Sequence, residues 1–248
     1  MYMRFILPRG GLAMRLILNS VFLFLLCADQ LFAATSTQTD ALQRYGLGIL
    51  AEWGSPSFSE CGKLVYSAGG FGGALMDADS NETPRMFPIY GGANQCDVSA
   101  DGKRFLLGTH NLNTNSRIRE AMIYNSKKGK WEATLHGADV DIISGAQFSP
   151  DDQRVITLCQ YYNETGYYNR MKVWDSNSGA LLREMVVNEN NCLAVAPTGS
   201  LAAACGENTI SIWNYSTGQL VKTIVIPGMY SYLPVATFYD QNRKLIVA

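Results

Sequence analysis

The chain has 248 residues, 47% of them hydrophobic and 17% charged, with a formal net charge of −1. The near-neutral balance gives no basis for a nucleic-acid partner. The length suits one large all-β domain.

In chain order, the first segment is a targeting signal. The first 28 residues contain no acid; Arg4, Arg9 and Arg15 precede the apolar run "LILNSVFLFLLCA" and the small residues Ala33 and Ala34. This is the three-part layout of a secretory signal over 1–33, with Met14 as an alternative start. The run is interrupted by Asn19 and Ser20 and is short for a bilayer span of about 20 residues, so an uncleaved membrane anchor is the less favoured reading. The segment implies a secreted or periplasmic protein with no stable membrane insertion once it is removed. Residues 34–48 are expected to be a linker or a closing strand.

From Ile49 to Ala248 two phrases alternate. One reads strand, tight turn, strand: "SFSECGKLVYSAG", "DVSADGKRFLLGT", "QFSPDDQRVITLC", "AVAPTGSLAAAC" and "TFYDQNRKLIVA". Their anchors, Phe58, Val98, Phe148, Val195 and Phe238, stand 40, 50, 47 and 43 residues apart. The other phrase is an apolar residue, an aromatic, an acid or amide, a Ser/Thr/Gly turn and a strand. It is clear in "MKVWDSNSGALLREM" and "SIWNYSTGQLVKTI", present in "MIYNSKKGKWEATL" and weak in "ALMDADSNETPRMF". A period near 40 to 45 residues with four strands per unit predicts propeller blades. The turns "ECGK", "ADGK" and "PTGS" carry Gly or Asp where positive φ or side-chain capping is wanted. Runs such as "RFLLGTH" and "RVITLCQ" suit strands buried on both faces.

On these residues the chain resembles the WD-repeat β-propellers. Val173-Trp174-Asp175, Ile212-Trp213-Asn214 and the turn "FSPDD" from Phe148 carry the likeness, with His136-Gly137 near the family's Gly-His position in reversed order. The resemblance implies an all-β propeller of four-stranded antiparallel blades, about four and a half of them, ending inside a fifth unit. It also implies a buried polar network, to which His136, Thr157 and Trp174 would belong; the family's Asp position holds Tyr168 in one unit and Glu207 in the next.

Two units carry insertions, "HNLNTNSRIRE" and "QYYNETGYYNR". The second is nearly symmetric about residues 163–166, which as a hairpin sets Tyr161 against Tyr168 and Tyr162 against Tyr167. The resemblance places such turns on the face that holds the links between blades, with Tyr230 and Tyr232. With Arg117 and Arg119 on the matching insertion, these tyrosines are the candidate partner-binding residues. The basic run from Lys103 to Lys130 is read as a solvated face, with a patch for an acidic partner as the alternative. Cys192 and Cys205 are expected to face each other across a Thr198-Gly199 turn, which leaves either a disulfide or two buried thiols.

Site motifs are otherwise sparse. "DADSNET" lacks the Gly and the final Glu of a calcium loop, and "GGFGG" lacks dinucleotide-fingerprint spacing. Two His residues and the absence of a G-x-S-x-G elbow argue against a His metal site or an acyl-transfer triad. No catalytic residue, metal or cofactor is assigned. The expected function is a non-catalytic protein–protein interaction scaffold. The alternatives are a lactonase-like or quinone-dependent propeller enzyme, another small-molecule binder, or a truncated fragment without function.

Overall fold

The computed structural model describes residues 57–58, 64–69, 72–77, 85–88, 93–109, 120–136, 142–163, 166–189, 191–206, 208–226, 236–239 and 244–247, all within the unit Ser36–Ala248. The proposed signal (1–33) and linker (34–48) lie outside them. The first sheet comprises β1 (Ser57–Phe58), β2 (Leu64–Gly69), β3 (Gly72–Asp77) and β4 (Arg85–Pro88). The second comprises β5 (Ala93–Val98), β6 (Arg104–Thr109), β7 (Glu120–Asn125) and β8 (Trp131–His136). The third comprises β9 (Ile142–Phe148), β10 (Arg154–Asn163), β11 (Gly166–Asp175) and β12 (Leu181–Val187). The fourth comprises β13 (Cys192–Val195), β14 (Leu201–Cys205), β15 (Thr209–Asn214) and β16 (Gln219–Val225), and β17 (Ala236–Tyr239) pairs with β18 (Lys244–Val247). Every sheet is an antiparallel meander in sequence order. The first strand of each sheet touches the first strand of the next, from β1 through β5, β9 and β13 to β17, while β8, β12 and β16 are largely exposed. This is the blade arrangement of a β-propeller. Closure between the fifth pair and the first sheet is not seen among the described residues.

The second strands explain the core. Side chains alternate between the two faces of a strand, and both faces of a blade are covered by neighbouring blades. Phe105 and Leu107 therefore join a core with Leu75 and Phe87 of the first sheet, whereas Leu106 points to the third sheet with Ile143, Phe148 and Trp174. Ile156 and Leu158 of β10 likewise meet Leu193 and Ala204 of the fourth sheet. Such strands have no polar face, which is why their sequences read as continuous apolar runs.

The turns at one end of the sheets repeat their chemistry. Ser99 and Arg104, Ser149 and Arg154, and Ala196 and Leu201 each close a four-residue loop by a backbone bond of 2.9 Å. Gly102, Asp152 and Gly199 occupy the left-handed position of these loops, at φ 69°, 57° and 71°. The Thr198-Gly199 connection is thus four residues long rather than two; the register is nevertheless the expected one, with Cys192 opposite Cys205. After the third strand of the second, third and fourth sheets a second turn follows, with Gly129, Gly179 and Gly218 at positive φ. A side chain at Gly179 would collide with the Thr134 carbonyl of the preceding blade, so this glycine serves both the turn and the packing. The acid or amide after the tryptophan caps that turn. Asp175 Oδ1 accepts from the Ser178 amide at 2.8 Å and its hydroxyl at 2.7 Å, and Asn214 Oδ1 accepts from the amides of Ser216 and Thr217.

Side chains also fasten blade to blade at equivalent positions. The Phe148 amide donates to Asp97 at 2.7 Å, and the Val195 amide donates to Gln147 at 2.6 Å. Asp152 is the one described non-glycine residue at positive φ, and its carboxylate accepts from the Ala100 amide of the previous blade at 2.8 Å. Arg104 donates to the Asp152 carbonyl and to the Ser176 carbonyl and hydroxyl of the next blade.

Candidate functional site

The hairpin β10–β11 departs from the blade plan. Its strands run ten residues each, from Arg154 to Asn163 and from Gly166 to Asp175. β9 pairs with β10 as far as Gln160, and β12 pairs with β11 as far as Asn169. Among the described residues, 161–163 and 166–168 pair with each other alone and continue past the four-stranded ladder as a two-stranded finger. Three residues at about 3.3 Å each carry it about 10 Å past the sheet. Tyr161 stands opposite Tyr168, and Tyr162 opposite Tyr167. Of these four side chains that of Tyr168 is described, and it is 39% exposed. The finger is anchored at its base: Asn169 Nδ2 donates to the Asn188 carbonyl at 3.0 Å, and Arg170 pairs with Glu184 at 2.8 Å. Asn188 begins the link from β12 to β13, so the finger rises from the end of the sheets that carries the blade links. Arg117, Arg119, Tyr230 and Tyr232 lie outside the described residues.

Beneath the finger the tryptophans organise buried polar groups. Trp174 is 3% exposed and donates from Nε1 to Thr157 Oγ1 at 2.9 Å; the Cys159 thiol bonds the same oxygen at 3.3 Å. His136 does not share this burial. It ends the outer strand β8 and is exposed, because outer strands have no following strand to cover them. Lys172 is buried on β11, two residues before Trp174, with its ammonium 5.8 Å from the ring centre. In the fourth sheet the equivalent residue is Ser211. Trp213 donates to its hydroxyl at 2.9 Å, and that hydroxyl donates to Glu189 at 2.7 Å. Thr209 donates to the other Glu189 oxygen at 3.1 Å. Glu189 is 3% exposed, although in the sequence an acid in an Asn-rich link reads as an ordinary solvated loop residue. The signal for it lay in the fourth unit, where Thr209 and Ser211 put two hydroxyls on the buried face of a strand.

Cys192 and Cys205 are buried thiols beside this cluster. The Cys205 thiol is pushed up by its bond to Cys192, by burial and by the Glu189 carboxylate. The turn acids titrate the other way. Burial raises the Asp101 carboxyl, but bonds from the Lys103 amide and ammonium and from the Ser99 hydroxyl overcome it and hold the group at about 2. In Asp151 burial is likewise overcome, by Ser149, the Gln153 amide and Arg154. Asp175 is lowered chiefly by the Ser178 amide and hydroxyl. Among the described residues no group of three His, Cys, Asp or Glu converges to hold a metal, and no helix is long and apolar enough to cross a membrane.

No protein-family model matches the chain, and no curated protein matches it. Solved structures do. The Kuenenia stuttgartiensis hydrazine synthase is similar at a TM-score of 0.62 and 12% identity, over 77% of this chain and 69% of that one. At that identity the likeness shows a shared propeller fold and carries no chemistry from one protein to the other.

Proposed function

We propose that the chain is an exported WD-repeat propeller that holds a protein or peptide partner on the end of its sheets bearing the finger, without catalysing a reaction. The carrying observation is the finger itself: a hairpin with two cross-strand tyrosine pairs that extends beyond the ladder of its own blade. Paired aromatics stiffen such a hairpin, and rigid amphipathic rings lose little entropy when a partner covers them. Arg117 and Arg119, in the insertion one unit earlier in the sequence, belong to the proposed partner-binding set as its basic members. The bonds from Trp174 to Thr157 and from Trp213 to Ser211 support the WD-repeat reading, and the acid-free, Arg-flanked N-terminus supports export. Neither a cofactor nor a nucleic acid is part of this proposal. A photo-crosslinking residue in place of Tyr168 should trap a discrete partner from the exported fraction, whereas the same residue in place of Thr217, at the opposite end of the sheets, should not. Equal crosslinking at both positions, or none at Tyr168, would contradict the proposal.

A further inference from the structure

The blade repeat provides an internal comparison at the turn end, away from the finger. Arg104 and Arg154 are equivalent residues that open the second strands of consecutive blades. Arg104 is well supplied with acceptors: the Asp152 and Ser176 carbonyls, the Ser176 hydroxyl and Asn177 Oδ1. The Arg154 guanidinium makes one hydrogen bond among the described residues, to the Ser216 hydroxyl at 2.5 Å. The difference is written in the sequence. Ser176 is replaced in the next blade by Tyr215, whose phenol donates to the Gly199 carbonyl at 3.0 Å. That carbonyl corresponds to the Asp152 carbonyl bonded by Arg104. The tyrosine removes the serine acceptor, and its phenol takes the place on this carbonyl that the Ser176 hydroxyl takes on the Asp152 carbonyl at 2.6 Å.

A second arginine meets the same junction. Arg183 on β12 is equivalent to Arg85 on β4, since each stands opposite the residue before the blade's aromatic position, Val173 and Leu75. Arg85 lies over Gly129 and donates to the Ser126 and Lys127 carbonyls of the following blade at 3.1 and 2.6 Å. Arg183 lies over Gly218, where an added Cβ would be 3.0 Å from its Cδ, yet it makes no hydrogen bond or ion pair among the described residues. Between the two arginines is a hollow of about 210 Å³, walled also by Tyr215, Ser216 and Leu182. It is many times larger than the room one water requires. Asp151 is the acid in electrostatic range of Arg154, and it is already held by Ser149 and the Gln153 amide.

The geometry points to an anion site at the junction of the third and fourth blades, with Arg154 and Arg183 gripping a doubly charged tetrahedral oxyanion: a phosphate, free or carried as a monoester. Arg154 and Arg183 both line the hollow, and two guanidinium forks offer more donors than one planar carboxylate can accept; the Ser216 hydroxyl, which donates to Ser200 Oγ at 2.9 Å, holds Arg154 in place. At the second–third and first–second junctions protein carbonyls and hydroxyls take the place of the anion. The site is independent of the finger and of its partner.

The test is calorimetric titration of the full chain with inorganic phosphate and with phosphoserine at constant ionic strength. Wild type should bind saturably. Arg183→Gln should raise Kd by about tenfold or more, the loss expected for a charge-assisted bond. Arg183 is exposed and makes no bond among the described residues, so this variant should keep the wild-type melting temperature. Arg183→Lys should fall between the two, and Lys222→Gln, at the corresponding place one blade later, should bind as wild type does. Similar affinity for both probes would identify the free anion as sufficient; a strong preference for phosphoserine would identify the ester. Absence of saturable binding in wild type, or unchanged binding in Arg183→Gln, would overturn the assignment.

Discussion

Truncation of Trp174 is the sharpest probe of how the blades cohere. The ring is buried in the core shared by the second and third sheets, beside Leu135, Ile143, Val155 and Cys159. A buried aromatic removes about 150–250 Å² from water, which at about 25 cal/mol per Å² gives roughly 4–6 kcal/mol. Measured truncations of this kind cost about 3–5 kcal/mol, because neighbours relax partly into the cavity. Trp174→Ala should therefore destabilise the protein by about 4 kcal/mol. Trp174→Phe keeps most of the ring contact and deletes the bond to Thr157, whose hydroxyl keeps its Cys159 contact; it should cost about 1–2 kcal/mol. Trp213 is only half-buried, so Trp213→Ala should cost less than Trp174→Ala. Urea unfolding followed by circular dichroism, with the slope checked for constancy, gives these differences. A cost for Trp174→Ala below about 1 kcal/mol, or equal to that for Trp213→Ala, would refute the inter-blade placement of the ring.

Other expectations follow from the turns and the N-terminus. Asp152→Ala should cost about 1–2 kcal/mol in the same assay, because it strains a left-handed position and strips the acceptor from the Ala100 amide; Asp152→Gly should cost less, since glycine relieves the strain. The lowered folded pKa of Asp101, about 2, means that its contribution is complete above the unfolded carboxylate value of about 3.9 and is lost as pH falls through about 2. Acid titration of the melting temperature should therefore steepen between about pH 4 and 2, and Asp101→Asn should flatten that segment. N-terminal sequencing of the exported protein should begin near Ala34 or Thr35; a product retaining Arg4 would contradict export through this signal.

The propeller was legible because its repeats are written in turn chemistry. Gly102 and Gly199 announce left-handed loop positions, Asp175 and Asn214 announce capped turns, and Phe105 to Leu107 announces a strand covered on both faces. The tyrosine register was legible because the insertion is symmetric about its centre. What could not be read was the pairing of groups far apart in sequence. In the sequence Asp152 reads as a turn residue, yet its carboxylate crosses to the previous blade at Ala100. Glu189 gains its meaning from Ser211 and Thr209, on a strand that follows a full hairpin later. His136 looked like a network member from its place before the third blade, but the strand it ends is the outermost of its sheet. The contrast between Arg104, with four acceptors around its guanidinium, and Arg154, with one, depends on residues of the next blade, Ser176 against Tyr215, and so is not written beside either arginine.

The claim that the finger is the recognition element is tested most directly by changing Tyr161, Tyr162, Tyr167 and Tyr168 together to serine and measuring partner capture from the exported fraction against wild type. The residues pair beyond the end of the four-stranded ladder, so the variant should melt within a few degrees of wild type. It should lose the partners that wild type retains. A variant that folds normally and keeps every partner would show that the tyrosines only stiffen the hairpin and that the partner surface lies elsewhere.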